Sequence, residues 1–579
     1  MKCKLVNENF KDNYTKKLLC SRGLLENELN SFYNPESSLV QSPQAFENIN
    51  EGAALLLKHL HQSSNLALVV DSDVDGFTSS AIIYQYLKLF VPQINIKYFL
   101  HRGKGHGLND TIDDILNDDC KFGLVIIPDA GSNDDEYHLR LKEEEIDCLV
   151  LDHHILEEDT KKVDNTVIIN NQASQEYKNK NLSGAGVTWQ FCRYLDCLTK
   201  NNNNYAEKLI DLAALGIVSD MMSVLELENR YIIREGFNNI NNYFFQCLCD
   251  KQSYSMGGKV TPMTVAFYIT PLINAMIRVG TAEEKERLFE AFIDGHKLVE
   301  SHKRGAKGTM EEVAIESARE CTNARARQNR ILDKAVEELE IKIHKYDLLE
   351  NKILFVRLDT EDFPPELNGL IAMKLAARYQ RPTIVARLND EGEIKGSSRG
   401  LNESELVSFK NFMDESGFFT FTAGHDNACG IGIYDKNLSN FHDYANKELA
   451  NIDFGENWYE VNFERIAADK DIRDLIEDLT THNDIWGQHN NEPMIHIMDI
   501  NVTPSDIQIM GKNQDTVKIM KNGIAYMFFK CKDRIDEFKK YKQMKIDLVG
   551  RANMNEWMNT YTPQIFVSDF EINDGSLGF

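Results

Sequence analysis

Four groups of acidic and histidine residues have the side chains needed to bind metal ions and to act on a phosphoester. The groups are Asp71-Ser-Asp-Val-Asp75, Asp129, Asp152-His153-His154 and Asp220. So many carboxylates held together would repel one another and take up protons unless cations neutralised them. Oxygen ligands with one or two imidazoles, and no cysteine at these positions, favour Mn²⁺ or Mg²⁺ over zinc held by thiolates. The residues therefore predict a site for two divalent cations that could polarise a phosphoryl group.

Each group stands where an apolar run of strand length ends. Residues 66–70 precede Asp71, residues 124–127 precede Asp129, residues 148–151 precede Asp152, and residues 215–218 lead into Asp220. In a parallel α/β sheet the carboxyl ends of the strands line one crevice, so side chains far apart in sequence can meet there. A single aspartate after a strand is most often a helix N-cap or a turn residue. Four such groups in succession favour a shared site.

The order and spacing of these groups resemble the DHH phosphoesterase superfamily and, within it, the RecJ single-strand exonucleases, over nearly the whole chain. Residues 69–76 resemble the first motif, Asp129 the second, residues 152–154 the motif that names the superfamily, and residues 214–220 with 228–230 the fourth. Residues 182–187 resemble the helix entry after the third motif.

The resemblance implies a role for each matching residue. The expected metal ligands are Asp73, Asp75, Asp129, His153 and Asp220. His154 would contact the scissile phosphate, and Asp71 and Asp152 would lie among the metal ligands or beside them. Three carboxylates spaced by two need not all face the same ions, so Asp71 is either a ligand or a residue that orients one.

Further segments resemble parts of the family that hold nucleic acid. Arg102 and the loop at residues 105–108 match a loop in which RecJ proteins usually carry tyrosine at the position of His106. Asn274 and Arg278 match a segment that would hold the phosphate backbone, unless their role is only structural.

Residues 352–435 alternate strand-like and helical runs and resemble the DHH-associated domain. The marks of that domain are Gly396-Ser397-Ser398-Arg399-Gly400 and Ala423-Gly424-His425-Asp426. A Gly-Ser turn would let backbone amides approach a phosphate, and Arg399 could bind the phosphate in a bidentate way. His425 would contact the nucleotide that is cleaved.

The last part of the chain has short apolar strands separated by turns, which predicts a small sandwich or barrel. It resembles the RecJ oligonucleotide-binding barrel, in which aromatic stacking and a cationic groove grip single strands. The candidates for this contact are Tyr526, Phe528, Phe529, Lys512 and Lys521. Alternating aromatic residues in a barrel are also often core residues, and that alternative stays open.

The predicted fold is therefore of the α/β class, in five parts. These are an amino-terminal leader (1–60) that packs on the core, a DHH parallel-sheet catalytic domain (61–300), a helical linker (301–350), a DHH-associated α/β domain (351–455) and an OB-fold β-barrel (456–579). The linker follows from residues 311–345, which lack Pro and Gly and are rich in Ala, Glu and Arg.

Composition indicates a globular cytoplasmic protein. The chain has 579 residues, 42% of them hydrophobic, and a formal net charge of −26. That charge is unusual for a protein that binds nucleic acid and predicts local basic strips and marked salt sensitivity. Eleven scattered cysteines argue for a reducing compartment. The amino terminus lacks the apolar segment of a signal peptide, and no membrane span is expected.

The sequence thus predicts a metal-dependent, single-strand-specific 5′ to 3′ exodeoxyribonuclease that uses two Mn²⁺ (or Mg²⁺) ions. By resemblance it would release 5′-mononucleotides, act in DNA repair and recombination as a monomer, and work with a helicase or a single-strand-binding protein. Two alternatives remain: a DHH phosphodiesterase of short oligonucleotides or cyclic dinucleotides, and a non-catalytic scaffold that binds single-stranded DNA. The terminal barrel counts against the first alternative, and intact residues at all four motifs count against the second.

Overall fold

The computed structural model describes ten stretches of the chain, which form two units. The stretches are residues 1–103, 105–157, 160–200, 203–306, 308–358, 363–389, 391–402, 404–455, 457–557 and 560–574. The parallel-sheet unit consists of Glu26–Asn329 and Asp484–Asn491, and the two-sheet unit of Met1–Leu25, Arg330–Asn483 and Glu492–Phe579.

Helices and strands alternate along most of the chain. The helices are α1 (Tyr14–Ser21), α2 (Leu29–Tyr33), α3 (Ile49–His61), α4 (Val74–Phe90), α5 (Ile112–Leu116), α6 (Asp135–Glu143), α7 (Gly184–Thr199), α8 (Ile210–Ser219), α9 (Leu227–Asn238), α10 (Tyr243–Gln252), α11 (Pro262–Thr264), α12 (Thr270–Val279), α13 (Ala282–Ile293), α14 (Val313–Lys345), α15 (Asn368–Tyr379), α16 (Phe409–Ser416), α17 (Leu438–Glu448) and α18 (Ile472–Thr481). The strands are β1 (Lys2–Leu5), β2 (Asn65–Val70), β3 (Ile96–Leu100), β4 (Phe122–Pro128), β5 (Asp147–Asp152), β6 (Thr166–Asn170), β7 (Leu298–Glu300), β8 (Met310–Glu312), β9 (Leu354–Arg357), β10 (Thr383–Leu388), β11 (Glu393–Arg399), β12 (Phe419–His425), β13 (Ala428–Tyr434), β14 (Trp458–Val461), β15 (Phe463–Ile466), β16 (Met494–Val502), β17 (Ile507–Met510), β18 (Thr516–Lys521), β19 (Ile524–Phe528), β20 (Met544–Trp557) and β21 (Thr560–Asp574). The long helix expected between the α/β regions is α14.

The parallel-sheet unit is built on a five-stranded sheet with the order β3-β2-β4-β5-β6. Neighbouring strands in this sheet are parallel. Strands β2, β4 and β5 are buried along nearly their whole length, as strands covered on both faces must be, and this explains their continuous apolar sequences. Their carboxyl ends carry Asp71, Asp129 and Asp152, so the α/β fold predicted from the sequence is confirmed here.

Asp220 follows a helix and not a strand. The apolar run at residues 215–218 belongs to α8, and Asp220 caps the carboxyl end of that helix. Residues 210–218 are all buried, so the helix shows no polar face that would have revealed its period. The prediction of a strand before Asp220 was wrong. The Asp220 side chain still reaches the edge of the sheet where the other three groups lie.

The two-sheet unit contains the second α/β region. Its five-stranded sheet has the order β12-β13-β11-β10-β9, in which only β9 and β10 run parallel. The buried side chains of this sheet pack with Phe409 and Met413 of α16 and with Phe441 and Ala445 of α17.

The other sheet of this unit has seven strands in the order β15-β16-β20-β21-β19-β18-β17. It agrees with the predicted carboxy-terminal OB region. Met1–Leu25 also belong to the two-sheet unit, where β1 pairs in parallel with β14. The leader predicted over residues 1–60 is thus divided at Leu25 between the two units.

One described helical stretch, Pro262–Val279, is long and apolar enough to span a membrane by length and composition alone. Half of this stretch is buried inside the fold, and core helices of soluble proteins pass the same test. A π-helical turn at Val265–Ile269 joins its parts, α11 and α12.

Candidate metal centre

The first acidic group forms the turn from β2 into α4. Asp71 follows β2 directly and is 1% exposed. Asp73 is the N-cap of α4, where its Oδ1 accepts a hydrogen bond from Gly76 N at 2.9 Å. Asp75 lies buried in the first helical turn. Because the three aspartates are two residues apart, one follows the strand, one caps the helix and one lies inside the helix.

Asp129 follows β4 in a left-handed backbone conformation, with a φ of 67°. Its amide donates to Leu151 O at 2.8 Å, which ties it to the end of the neighbouring strand β5. A non-glycine residue in this region costs about 1–3 kcal/mol, and such strain is concentrated at functional sites. The turn directs the Asp129 side chain to the strand ends.

The five residues predicted as metal ligands come together in space. Ligand atoms lie within 4.8 Å of one another in three overlapping groups: Asp71, Asp73 and Asp129; Asp75, His153 and Asp220; and Asp129, His153 and His154. His153 Nε2 lies 3.3 Å from Asp129 Oδ1 and 3.4 Å from Asp220 Oδ2. Asp129 and His153 each belong to more than one group, so the three groups form one continuous cluster.

Two carboxylate oxygens in this cluster are buried without a hydrogen-bond partner among the described residues: Asp129 Oδ1 and Asp220 Oδ2. An unpaired buried carboxylate oxygen is costly and calls for an ion or a proton. A donor set of aspartates and one imidazole fits Mn²⁺ or Mg²⁺.

Without a cation the cluster would hold protons. Burial, and then the charges of Asp75 and Asp73, raise the pKa of Asp220 to about 9. Burial and the same two neighbours raise the pKa of Asp129 well above its usual value. The pKa of Asp73 rises to about 6 from burial and the charges of Asp71 and Asp75. Bound divalent cations would relieve this repulsion and displace the protons.

The amino-terminal end of α7 holds Asp75. Gly184 N donates to Asp75 Oδ2 at 2.7 Å and Ala185 N donates to Oδ1 at 3.1 Å. A Cβ on Gly184 would lie 2.3 Å from Asp129 Oδ1, so this position must be glycine for the helix to approach so closely. The sequence marked residues 182–187 as a helix entry but did not indicate that their amides bind a carboxylate of the site.

Asp152 orients His154. Asp152 Oδ1 accepts hydrogen bonds from His154 Nδ1 at 2.8 Å and His154 N at 3.1 Å, and Oδ2 accepts one from Ser132 N at 3.0 Å. Burial acts to raise the pKa of Asp152, but the hydrogen bond and charge of His154 bring it well below its usual value. The hydrogen bond to Asp152 in turn raises the pKa of His154 to about 9. Asp152 therefore holds a half-exposed imidazolium beside the cluster.

Asp71 makes a similar contact with the loop between β3 and α5. Its Oδ2 accepts a hydrogen bond from His106 Nδ1 at 2.8 Å, and its Oδ1 accepts one from Gly107 N at 3.0 Å. Of the two roles left open for Asp71, these bonds support the orienting one. Arg102, in the same loop, is exposed, and its Nη2 donates to both carboxylate oxygens of Asp114, at 2.6 and 2.8 Å.

Asn274 and Arg278 lie four residues apart on α12, and both side chains are half-buried. Residues at this spacing share a helix face. A joint contact with a phosphate backbone stays a prediction for them.

Arg399 and His425 belong to the two-sheet unit, where the sheet places them in one row. Arg399 of β11 and His425 of β12 both pair with Ala428 of the strand between them. Residues directly opposite one another in antiparallel strands point to the same face, so these two side chains share a face. His425 is exposed, and burial lowers the pKa of Arg399.

The turn expected at residues 396–400 is in fact strand β11 as far as Arg399. Ser397 and Ser398 pair with β10 on one side and β13 on the other, so their amides belong to a central strand. The Ser398 side chain is 1% exposed and donates to Cys429 O at 3.2 Å. Neither backbone nor hydroxyl of Ser398 can therefore bind a phosphate as predicted. Ser397 is half-buried, and a contact through its side chain stays a prediction.

Tyr526 and Phe528 are core residues, each 2% exposed. Phe528 packs edge-on against Phe538 and Phe570 at 5.2 and 4.9 Å. Neither ring offers a face to a base, so their predicted role in nucleic-acid binding was wrong, and the alternative of core packing holds.

Phe529, directly after β19, and Phe566 of β21 form an exposed aromatic pair. These rings are 49% and 38% exposed, and their centroids lie 5.2 Å apart. Arg551 pairs with Phe566 across β20 and β21 and is exposed too. We call these three residues the aromatic patch.

Comparison with known proteins places this site in a family. The model of the DHH family, N-terminal domain, matches residues 65–217, and the model of the RecJ OB domain matches residues 466–569. A Bacillus subtilis protein that carries the name of an SPbeta prophage-derived single-strand DNA-specific exonuclease, YorK, is 35% identical over 96% of this chain and 95% of its own length. The single-stranded-DNA-specific exonuclease RecJ of Bacillus subtilis is 24% identical over 94% of this chain and 66% of its own.

A solved structure has the same fold over almost the whole chain. The RecJ crystal structure from Thermus thermophilus, in complex with Mn²⁺, superposes with a TM-score of 0.70 at 17% identity. The superposition covers 98% of this chain and 79% of that one.

Proposed function

Because this chain belongs to the RecJ-type exonucleases of the DHH family, we propose that it is a metal-dependent exonuclease specific for single-stranded DNA. We propose further that it works from the 5′ end, releases 5′-mononucleotides and acts in DNA repair and recombination. The observation that carries the proposal is the convergence of Asp73, Asp75, Asp129, His153 and Asp220 at one edge of the parallel sheet.

These five side chains would hold two divalent ions, Mn²⁺ or Mg²⁺. The unpartnered oxygens of Asp129 and Asp220 and the shared position of His153 support this assignment. Bound there, the ions would polarise the phosphoryl group and neutralise the charge that develops on it. The fixed turn at Asp129 and the amides of α7 keep the ligands in place for this chemistry.

His154 would contact the scissile phosphate. Its Nδ1 is committed to Asp152, so the imidazolium can donate from Nε2 to a phosphate oxygen. A preorganised donor of this kind stabilises negative charge without having to rearrange during the reaction.

Two residues, Arg399 and His425, would contact the nucleotide that is cleaved. The rest of the bound strand would be contacted by Arg102, His106, Asn274 and Arg278. The common face of Arg399 and His425 supports a shared ligand for that pair. The aromatic patch supplies two rings and a guanidinium, which suits stacking with bases and contact with a backbone phosphate.

The protein would act in the cytoplasm as a monomer, with single-stranded DNA as its substrate and a helicase or single-strand-binding protein as its partner. A net charge of −26 supports a mode of binding that depends on local cationic patches and weakens steeply with salt.

The direct test is digestion of matched DNA substrates in Mn²⁺. A linear single strand labelled at either end is compared with a closed circular strand, a duplex and an RNA strand of the same sequence. Early release of a labelled mononucleotide from the 5′ end of the linear strand, with the circle intact, would support the proposal. Cleavage of the circle would reject an exonuclease, and early release of the 3′ label would reject the direction.

The same assay separates the other candidate functions. Hydrolysis restricted to dinucleotides and similarly short oligomers would show a short-substrate phosphodiesterase. Binding without any cleavage in Mn²⁺ or Mg²⁺ would show a scaffold.

A further inference from the structure

Two aspartate–histidine pairs with the same distance between Nδ1 and the carboxylate lie at the carboxylate cluster. In one, His154 Nδ1 lies 2.8 Å from Asp152 Oδ1, and in the other His106 Nδ1 lies 2.8 Å from Asp71 Oδ2. Both carboxylates are buried, whereas the imidazole side chains are 55% and 54% exposed. In each pair, a buried carboxylate therefore binds an imidazole ring that is half-exposed to solvent.

The loop that carries His106 is fixed in place at several points. Gly107 N donates to Asp71 Oδ1 at 3.0 Å, Ser72 Oγ donates to Gly105 O at 2.6 Å, and Leu108 N donates to Asp134 Oδ2 at 2.8 Å. Gly107 has a φ of 58°, and a Cβ there would lie 2.1 Å from Asp134 Oδ2. Asp71 and Ser72 therefore tie the loop to the same turn that carries Asp73 and Asp75.

Asp71 lies in the carboxylate cluster and therefore places the Asp71–His106 pair beside it. An oxygen of Asp71 lies within 4.8 Å of ligand atoms of Asp73 and Asp129, the group at one side of the cluster. His154 belongs with Asp129 and His153 in another group. Asp129 is therefore grouped with His154 itself on one side and with Asp71, the partner of His106, on the other.

We propose that His106 is a second imidazole that contacts the phosphate of the bound strand, oriented by Asp71 in the way that Asp152 orients His154. A carboxylate that binds Nδ1 directs the Nε2 edge of the ring away from itself, and a histidine ring can form a hydrogen bond at each of its two nitrogens. His106 is then a catalytic residue, and Asp71 is a positioning residue that acts through it. This inference rests on the proposed function, because the ligand is the phosphodiester on which the metal centre acts.

The variants that test the inference are His106→Ala and, as a matched control, His296→Ala. His296 is in the same unit, its side chain is 69% exposed, and its Nδ1 lies 2.8 Å from Oε1 of Glu312, so it is also an exposed imidazole bound to a carboxylate, but outside the carboxylate cluster. Both are compared with the wild type for Mn²⁺-dependent digestion of a single strand, for Mn²⁺ affinity by calorimetry, and for rescue by added imidazole.

We expect His106→Ala to lose about 100-fold in kcat, as when one donor to a reacting oxyanion is removed. Mn²⁺ affinity should stay at the wild-type value, free imidazole should restore part of the activity, and His296→Ala should behave as wild type. Wild-type activity in His106→Ala would overturn the inference. A parallel loss of Mn²⁺ affinity would also overturn it, since it would place His106 in the metal site or in its support.

Failure of the proposed function has a different signature. If the wild type binds Mn²⁺ but cleaves no strand, the nuclease proposal fails. In that case the affinities of the wild type and of His106→Ala for a short oligothymidylate test the contact between His106 and the phosphate without any cleavage. His106→Ala must weaken that binding for the phosphate contact to stand, and equal affinities would refute it.

Discussion

The Nε2 atom of His153 lies 3.3 Å from Oδ1 of Asp129, an oxygen that is buried and has no hydrogen-bond partner among the described residues. Burial lowers the pKa of His153, which favours a neutral imidazole. A neutral imidazole and an unpaired carboxylate oxygen at this separation are suited to share a cation. The predictions below follow from that arrangement and from its supports.

Removal of metal should make stability depend on pH. The pKa of Asp220 is raised in the folded state from 3.8 to about 9. A pKa raised on folding favours the folded state fully below the unfolded value, and this contribution is lost as pH rises through the folded value. In chelator, the free energy of unfolding should therefore fall as pH rises between these limits, and Mn²⁺ should restore it. Denaturant titrations over this range measure the effect, and a rise in stability with pH in chelator would contradict it.

Asp152→Asn should lower kcat by about 10- to 100-fold, the usual cost of losing a partner that orients an active residue. The pKa of His154 should fall from about 9 toward its usual value, because the charged acceptor is gone. Since Asp152 acts through His154, the double variant Asp152→Asn/His154→Ala should be no slower than His154→Ala alone. Kinetics of the three variants and a titration of His154 by nuclear magnetic resonance test this, and additive losses in the double variant would refute it.

Gly184→Ala should disable the centre without a change in any ligand. The new Cβ would lie 2.3 Å from Asp129 Oδ1 and 2.6 Å from Asp129 Cα, so the helix or the aspartate must move. We expect a loss of about 10- to 100-fold in Mn²⁺ affinity, as for other changes that displace a ligand indirectly. Gly430→Ala is the control, because its Cβ would have 3.8 Å to its nearest neighbour. Equal Mn²⁺ affinities of the two variants would contradict the close approach of α7.

Phe529→Ala and Phe566→Ala should each weaken binding of single-stranded DNA by about 1–3 kcal/mol, the cost of losing one stacked base. Phe528→Leu, a change in the core next to them, should lower stability by about 0.5–3 kcal/mol and leave affinity unchanged. Fluorescence anisotropy with a labelled strand gives the affinities, and thermal unfolding gives the stabilities. If Phe528→Leu weakened binding and the two exposed-residue variants did not, the contact with the strand would not lie at the aromatic patch.

The sequence predicts the parallel-sheet unit well, because continuous apolar runs that end in aspartate have few other interpretations. It also predicts which side chains meet there. It fails at Asp220, where a fully buried helix lacks the periodicity that would distinguish it from a strand. The hydrogen bonds of Gly184 and Ala185 to Asp75 involve only backbone amides, which leave little trace in side-chain patterns.

The two-sheet unit shows a second limit of sequence analysis. Ser398 resembles a turn residue because of its neighbours Gly396 and Gly400, but pairing on both sides makes it part of a central strand. Tyr526 and Phe529 are aromatic residues three positions apart, and only the fold decides that one is buried and the other exposed. Long-range pairing, which local sequence does not encode, determines both outcomes.

The measurement that tests the central claim most directly compares the wild type with Asp129→Asn, for Mn²⁺ binding by calorimetry and for digestion of an end-labelled single strand. We expect the wild type to bind Mn²⁺ and to digest the strand until chelator is added. Asp129→Asn should fold and bind the strand, but should bind Mn²⁺ weakly and release no nucleotide. Undiminished digestion by Asp129→Asn, or digestion by the wild type in excess chelator, would contradict a metal centre at Asp129 and His153.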